Sequence, residues 1–323
     1  MRLEVAALAA ILWCFFGATA LAQPDADAEW SVPAPLAWRS LLLDAARAGD
    51  AVVAVGERGH ILISEDRGET WTQARVPTRA TLTGVWFHDR NRGWAVGHDA
   101  VILRTTDGGA TWTRIQWEPD DEVPFLDVWF SDAENGIAIG AYGLFYVTSD
   151  GGQTWTEERV IEDDFHFNQI AVSDAGRLYI AAEAGNAYRS DDGGVSWTLL
   201  DPGYPGSLFG VLPLEGDEVL LFGLRGHLFR SEDAGETWTA LETGTTAMLN
   251  SGARLDDGRI VIVGLGGVVL TSGDGGRSFE LHGQANRAGI QRVVPLGEGR
   301  VILAGEFGVR SLAASELESS EGR

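Results

Sequence analysis

The chain has 323 residues, with 47 acidic against 24 basic side chains, a formal net charge of -23 and a single cysteine. Charge of that sign repels nucleic acid and anionic lipid headgroups, so neither is an expected partner. The length permits two domains, but a repeat spread over most of the chain points to one closed repeat domain.

Residues 1–22 carry Arg2, an apolar run from Ala6 to Phe16, and Ala20-Leu21-Ala22 ahead of Gln23. This is the pattern of a secretory signal peptide with a small-x-small cleavage site, and the run is short for a membrane span. The expected organisation is a signal peptide at 1–22, a repeat domain at 23–312 and an acidic tail at 313–323. The mature chain is then exported to the periplasm or beyond, with no membrane-inserted segment. Cys14 lies inside the apolar run, and Leu12 and Trp13 before it do not make a lipoprotein setting. Cleavage leaves no cysteine for a disulfide or a thiolate metal site. It also removes one Arg and one Glu, so the formal charge stays at -23.

From residue 64 onward an eight-residue phrase recurs six times: a hydroxyl, any residue, Asp, any residue, Gly, any residue, Thr or Ser, then an aromatic ring. The copies run Ser64 to Trp71, Thr105 to Trp112, Thr148 to Trp155, Ser190 to Trp197, Ser231 to Trp238 and Ser272 to Phe279. Their aspartates, Asp66, Asp107, Asp150, Asp192, Asp233 and Asp274, are 41, 43, 42, 41 and 41 residues apart. Such a period marks copies of one supersecondary unit, none of which buries its apolar face alone.

The unit is clearest from Phe125 to Thr156. An apolar run at 125–130 is followed by a polar turn, Ile137-Ala138-Ile139-Gly140, a two-residue hairpin Gly140-Ala141-Tyr142-Gly143, and a return at 144–147 into the phrase. Short apolar runs broken by turn residues are strands, here a, b, c and d of an antiparallel meander the size of a propeller blade. The hairpin copies begin at Gly56, Gly97, Gly140, Ala182, Gly223, Gly264 and Gly305, which counts seven blades, with glycines expected to relieve positive φ at both shoulders. The last copy has no phrase after it. Glu29-Trp30-Ser31-Val32-Pro33 resembles a d strand and is expected to complete the seventh blade. The predicted fold is therefore all-β, a seven-bladed propeller of four-stranded antiparallel blades closed by the N-terminal strand.

Within each phrase, the aspartate and the hydroxyls are spaced to bond inside the tight c to d turn, which makes the phrase structural. Six carboxylates about 40 residues apart do not converge as calcium requires. The phrases Thr105-Thr106-Asp107-Gly108-Gly109-Ala110-Thr111-Trp112 and Ser149-Asp150-Gly151-Gly152-Gln153-Thr154-Trp155, with the Gly97 and Gly140 hairpins before them, are Asp-box or BNR repeats. They resemble the photosystem II stability and assembly factor family over nearly all of residues 29–312. The resemblance implies a seven-bladed propeller acting as a non-enzymatic binding factor in membrane-protein assembly. The box is shared with sialidases and other glycosidases, so a glycan-active or glycan-binding propeller is the alternative.

A sialidase needs three arginines on the substrate carboxylate, a Tyr and Glu pair, and an acidic proton donor. Arg75-Val76-Pro77 is the nearest match to a sialidase Arg-Ile-Pro motif, but it follows the first box instead of preceding it, and five tyrosines fall mostly in predicted strands or hairpins. No enzyme activity is expected. The six histidines have no metal-binding spacing, so neither metal nor cofactor is expected. Binding is assigned instead to the face that carries the d to a links and b to c hairpins. Its candidates are Trp117, Asp120, Asp121, Tyr142, Asp163, Asp164, Phe165, His166 and Tyr204, aromatics among acids that suit a cell-envelope protein or membrane complex. Strand a should line the central channel, with Asp44, Gly84, Asp127, Gln169, Gly210, Ser251 and Arg292 at its middle positions. A monomer is expected.

Overall fold

The computed structural model describes residues 29–284 and 286–318; the expected signal peptide with Cys14 and residues 319–323 of the expected tail lie outside the described residues. Seven antiparallel sheets follow one another along the chain, six of four strands and a seventh of three. The third blade is representative, with a at Phe125–Phe130, b at Gly136–Gly140, c at Phe145–Thr148 and d at Thr156–Glu157. Strand b is buried at every position in the first six blades because it is flanked in its own sheet and by the sheets on either side. That double burial explains its continuous apolar runs, such as Ile260–Gly264. Each buried Val, Ile or Leu contributes about 1.5–3 kcal/mol to the packed ring.

The hairpins differ from the expectation in two respects. Gly140 is extended, at φ -165, so positive φ is not what selects it. A Cβ there would lie 2.3 Å from the carbonyl oxygen of Pro124, which makes close approach of the incoming chain the cause. Positive φ falls instead on Tyr142, at 56, and on Gly143, at 75. The seventh hairpin alone is the two-residue turn, with Gly305 paired to Gly308.

Completion of the seventh blade by Trp30 is not confirmed. That sheet is Ile290–Gly297, Arg300–Gly305 and Gly308–Ala313 among the described residues. Residues 30–34 lie on the outer edge of the first blade, where Ser31 N donates to Val76 O at 2.8 Å and Ala34 N to the Gln73 side chain at 2.8 Å. What closes the ring is the next stretch. In the other blades a d to a link passes over the last residue of its own hairpin, a glycine in all but the second, where it is Ala100, and then reaches the next hairpin. Here Trp38 passes over Gly308, and Leu41 O accepts Glu57 N at 3.1 Å. Ala37, Leu42 and Ala45 then share one core with Ile302, Ala304 and Val309 of the seventh blade. At the other end, Ala314 and Leu317 of a 3-10 turn, Ala314–Glu318, are buried against the sixth and seventh blades.

Candidate binding site on the axis and the loop face

Every strand a carries a register shift beside its middle position: Leu42/Asp44, Leu82/Gly84, Phe125/Asp127, Phe167/Gln169, Leu208/Gly210, Leu249/Ser251 and Ile290/Arg292. A bulge breaks the alternation of side chains, so consecutive residues turn to the axis, as Leu43 with Asp44, Leu126 with Asp127, Asn168 with Gln169 and Gln291 with Arg292 do. The two rings they form latch blade one to two, two to three, three to four, four to five and six to seven. In the inner ring, Asp44 accepts Val85 N at 2.8 Å, Asp127 accepts Ile170 N at 3.0 Å, Gln169 accepts Val211 N at 2.9 Å and Ser251 accepts Val293 N at 3.3 Å. In the outer ring, Thr83, Asn168 and Asn250 donate to Phe125 O, Leu208 O and Ile290 O at 2.7, 2.8 and 2.8 Å. Gly84 and Gly210 have no side chain to offer, and the N–H of Val128 turns to its neighbour Asp127 at 2.8 Å.

The channel is divided. A cavity of 250 Å³ opens on the loop side and one of 520 Å³ on the box side, and Gln169 and Arg292 line both. The box-side mouth is walled by Trp86, Trp129, Leu212 and Pro213, whereas the loop-side mouth holds Asp44, Asp127, Asn168, Asn250 and Gln291. Arg292 Nε lies 3.0 Å from Asp44 Oδ1. Burial raises the Asp44 carboxyl against the opposing pull of Arg292. Asp127 is pushed up to about 7, first by burial and then by the Asp44 charge.

On the loop face the predicted residues fall into three groups. Trp117 is exposed, with the Arg114 guanidinium 4.2 Å over its ring, and Asp120 and Asp121 follow it in a 3-10 turn, Pro119–Asp121. Tyr142, 63% exposed, meets His166 edge to face at 4.8 Å, and Gly143 N bonds Phe165 O. Glu183 of the next hairpin is 3.9 Å from His166 Nδ1, and Asp163 and Asp164 are exposed beside them. Tyr204 stands apart from Tyr142, stacked on His227 at 4.0 Å with its hydroxyl on Leu224 O.

The boxes occupy the opposite face. In the first, Ser64 donates to Asp66 Oδ1 at 2.8 Å and accepts Gly68 N at 2.7 Å, while Thr70 gives its N–H and hydroxyl to the two Asp66 oxygens at 2.8 and 2.6 Å. The same carboxylate bonds recur at Asp107, Asp150, Asp192, Asp233 and Asp274. The box hydroxyls, followed by the backbone N–H groups, hold Asp66, Asp150, Asp192 and Asp233 at about 2. With their lone pairs committed inward, these carboxylates are turn locks. Arg75-Val76-Pro77 is likewise absorbed by the fold: Val76 bonds Ser31, and the Arg75 guanidinium lies 4.2 Å over the Trp30 ring.

A family model described as photosynthesis system II assembly factor YCF48 matches residues 63–125 and 115–303. The chain belongs to this family. Ycf48 of Thermosynechococcus vestitus, named as a photosystem II assembly protein, is 45% identical over 42 residues, 13% of this chain and 12% of that protein. The chain thus spans about an eighth of that curated relative's length in the matched stretch. Among solved structures, Ycf48 bound to a D1 peptide superposes with a TM-score of 0.70 at 19% identity, over 84% of this chain and 91% of that one. Virginiamycin B lyase from Staphylococcus aureus reaches 0.71 at 13% identity, over 84% and 94%. At such identities the two solved structures share the fold.

In this family member, sequence reasoning passed over the latch residues Thr83, Asn168 and Asn250 and the loop-face residues Glu183, Leu224 and His227. The outer-ring latches precede the middle positions of strand a by one, so aligning the seven copies of that strand exposes them. Glu183, Leu224 and His227 sit at or beside hairpin tips, where the same alignment finds them.

Proposed function

We propose that this chain is an exported, monomeric, non-enzymatic assembly factor that holds a segment of a cell-envelope membrane complex against the loop face of its propeller. Membership of the Ycf48 family over residues 63–303 carries the reading, and the D1 peptide bound to a solved Ycf48 supports a peptide segment of a membrane protein as the partner. The loop face suits that role. Tyr142 and Trp117 offer rigid apolar area with little entropy to lose, and Asp120, Asp121, Asp163 and Asp164 give a rim complementary to a basic segment. Export rests on the apolar run and Ala20-Leu21-Ala22, and sequencing the N-terminus of the secreted protein tests it at Gln23.

The direct test is cross-linking capture from envelope extracts by the wild type and by a variant with Asp120, Asp121, Asp163 and Asp164 changed to Lys. Loss of one specific partner in the variant, with melting unchanged, is the expected result. Retained capture removes the acidic loop face from the mechanism. Turnover of a fluorogenic sialoside by the wild type overturns the non-enzymatic reading in favour of the glycan-active alternative.

A further inference from the structure

The loop-side mouth of the channel has an imbalance that the latches do not resolve. Asp44 and Asp127 bring two carboxylates to it, and Arg292 brings one guanidinium. Arg292 is engaged with Asp44 at 3.0 Å. Asp127 makes no ion pair among the described residues; its oxygens hold the N–H groups of Val128 and Ile170 at 2.8 and 3.0 Å. Two backbone amides leave further acceptor capacity on a carboxylate, which has about four lone-pair sites. Around it, Leu126, Phe209 and Met248 provide apolar wall, while Asn168 and Asn250 provide carboxamides. The cavity of 250 Å³ has room for a side chain of the length of lysine.

We propose that the loop-side mouth of the channel is a binding site for a primary ammonium on a short aliphatic stem, with Asp127 as its counter-ion and Leu126, Phe209 and Met248 against the stem. A lysine side chain and a free alkylamine share that chemistry. Above about pH 7, where Asp127 is ionised, one added cation brings the mouth, with two carboxylates and one guanidinium, to neutrality, whereas an anion meets a net negative site and a neutral stem leaves Asp127 uncompensated. The charged groups facing Asp127 are Asp44 on the first blade and Arg292 on the seventh. Because the ammonium pairs with the ionised carboxylate, binding strengthens as the pH rises through about 7, the value to which burial pushes Asp127.

The test uses the full chain with n-butylammonium, N-acetyl-lysine N-methylamide and neutral 1-pentanol as probes, titrated by calorimetry and ligand-observed NMR. Both amines, or the lysine amide alone, should bind, tightening with pH, with binding weakened about tenfold or more in Asp127→Asn. That variant keeps one oxygen, which serves either Ile170 N or Val128 N, and its melting curve separates loss of the site from loss of the fold. Asp174→Asn, exposed on the box side, should bind like the wild type. Binding of free n-butylammonium assigns the mouth to a diffusible amine; binding of the lysine amide alone assigns it to a lysine of a partner. Equal binding by 1-pentanol, equal binding in Asp127→Asn, or no binding of either amine overturns the proposal. No partner protein is present in this experiment, so its outcome is independent of the loop-face reading.

Discussion

The box aspartates on one face and the axial aspartates on strand a perform the same task, accepting backbone N–H groups across a short gap, yet their carboxyls move in opposite directions. Asp66 keeps its contact with water while a threonine hydroxyl and N–H groups favour its charged form, and it sits at about 2. Asp127 accepts two N–H groups as well, but burial and the nearby Asp44 outweigh them, and it rises to about 7. Hydrogen-bond count does not decide the charge state. Solvent access does, because hydrogen bonds to an ion that keeps its hydration only add to its stability, while those of a buried ion must first replace the water it lost.

The largest effect that sharpens this contrast is expected from Asp44→Ala. It strips Val85 N of its acceptor and leaves Arg292 without its partner, so chemical denaturation should show a loss of about 3 kcal/mol. A smaller loss than from any single box aspartate would break the comparison.

Next comes the pH profile. An unfolded Asp ionises near 3.9 and Asp127 in the fold near 7, so between those values the native state holds a proton that the unfolded state has released. Stability therefore falls as pH rises through that window and levels off above it. The boxes act with the opposite sign: their depressed carboxyls stabilise above about pH 4, and that contribution is lost as pH falls toward 2. Asp127→Asn should match the wild type near pH 4 and be more stable by about 1–2 kcal/mol at pH 8, after discounting for water in the channel. Parallel profiles for the two proteins would show that Asp127 is not a titrating group.

Asp107→Ala should cost about 1–2 kcal/mol, through the loss of its bonds from Thr105 and Thr111, with partner capture unaffected. The smallest stability effect is expected from reversing Asp120, Asp121, Asp163 and Asp164. Surface changes of this kind stay within about 0.5 kcal/mol each, so a cooperative drop in melting temperature would place those carboxylates in the structural class with the boxes.

How far the sequence could be read follows from the range of the interactions. The box is closed within eight residues, so each bond in it has its donor and acceptor in one short phrase, and all six aspartates were identifiable with their roles. The hairpin glycines counted seven blades correctly, although Gly140 is selected by the Pro124 carbonyl and not by its own φ. Trp30 resembled a d strand by its neighbours, but its placement beside Arg75 is decided by contacts across about 45 residues, which no local pattern encodes. On the loop face, Tyr142 and His166, both candidates from the sequence, meet edge to face, whereas Tyr204, a candidate beside them, belongs to a different pair of hairpins.

The sequence by itself determined the repeat, the number of blades, the turn locks and the strongly acidic surface, because periodicity and short-range hydrogen bonding are properties of contiguous residues. The tertiary structure alone decided that Trp38 to Leu41 act as the link across the ring junction, that strand a bulges beside its middle position in every blade, and that Arg292 pairs with Asp44 and not with Asp127. Those three residues come from the first, third and seventh blades, and only closing the ring brings their charges within reach of one another in a cavity where water screens them less than on the surface.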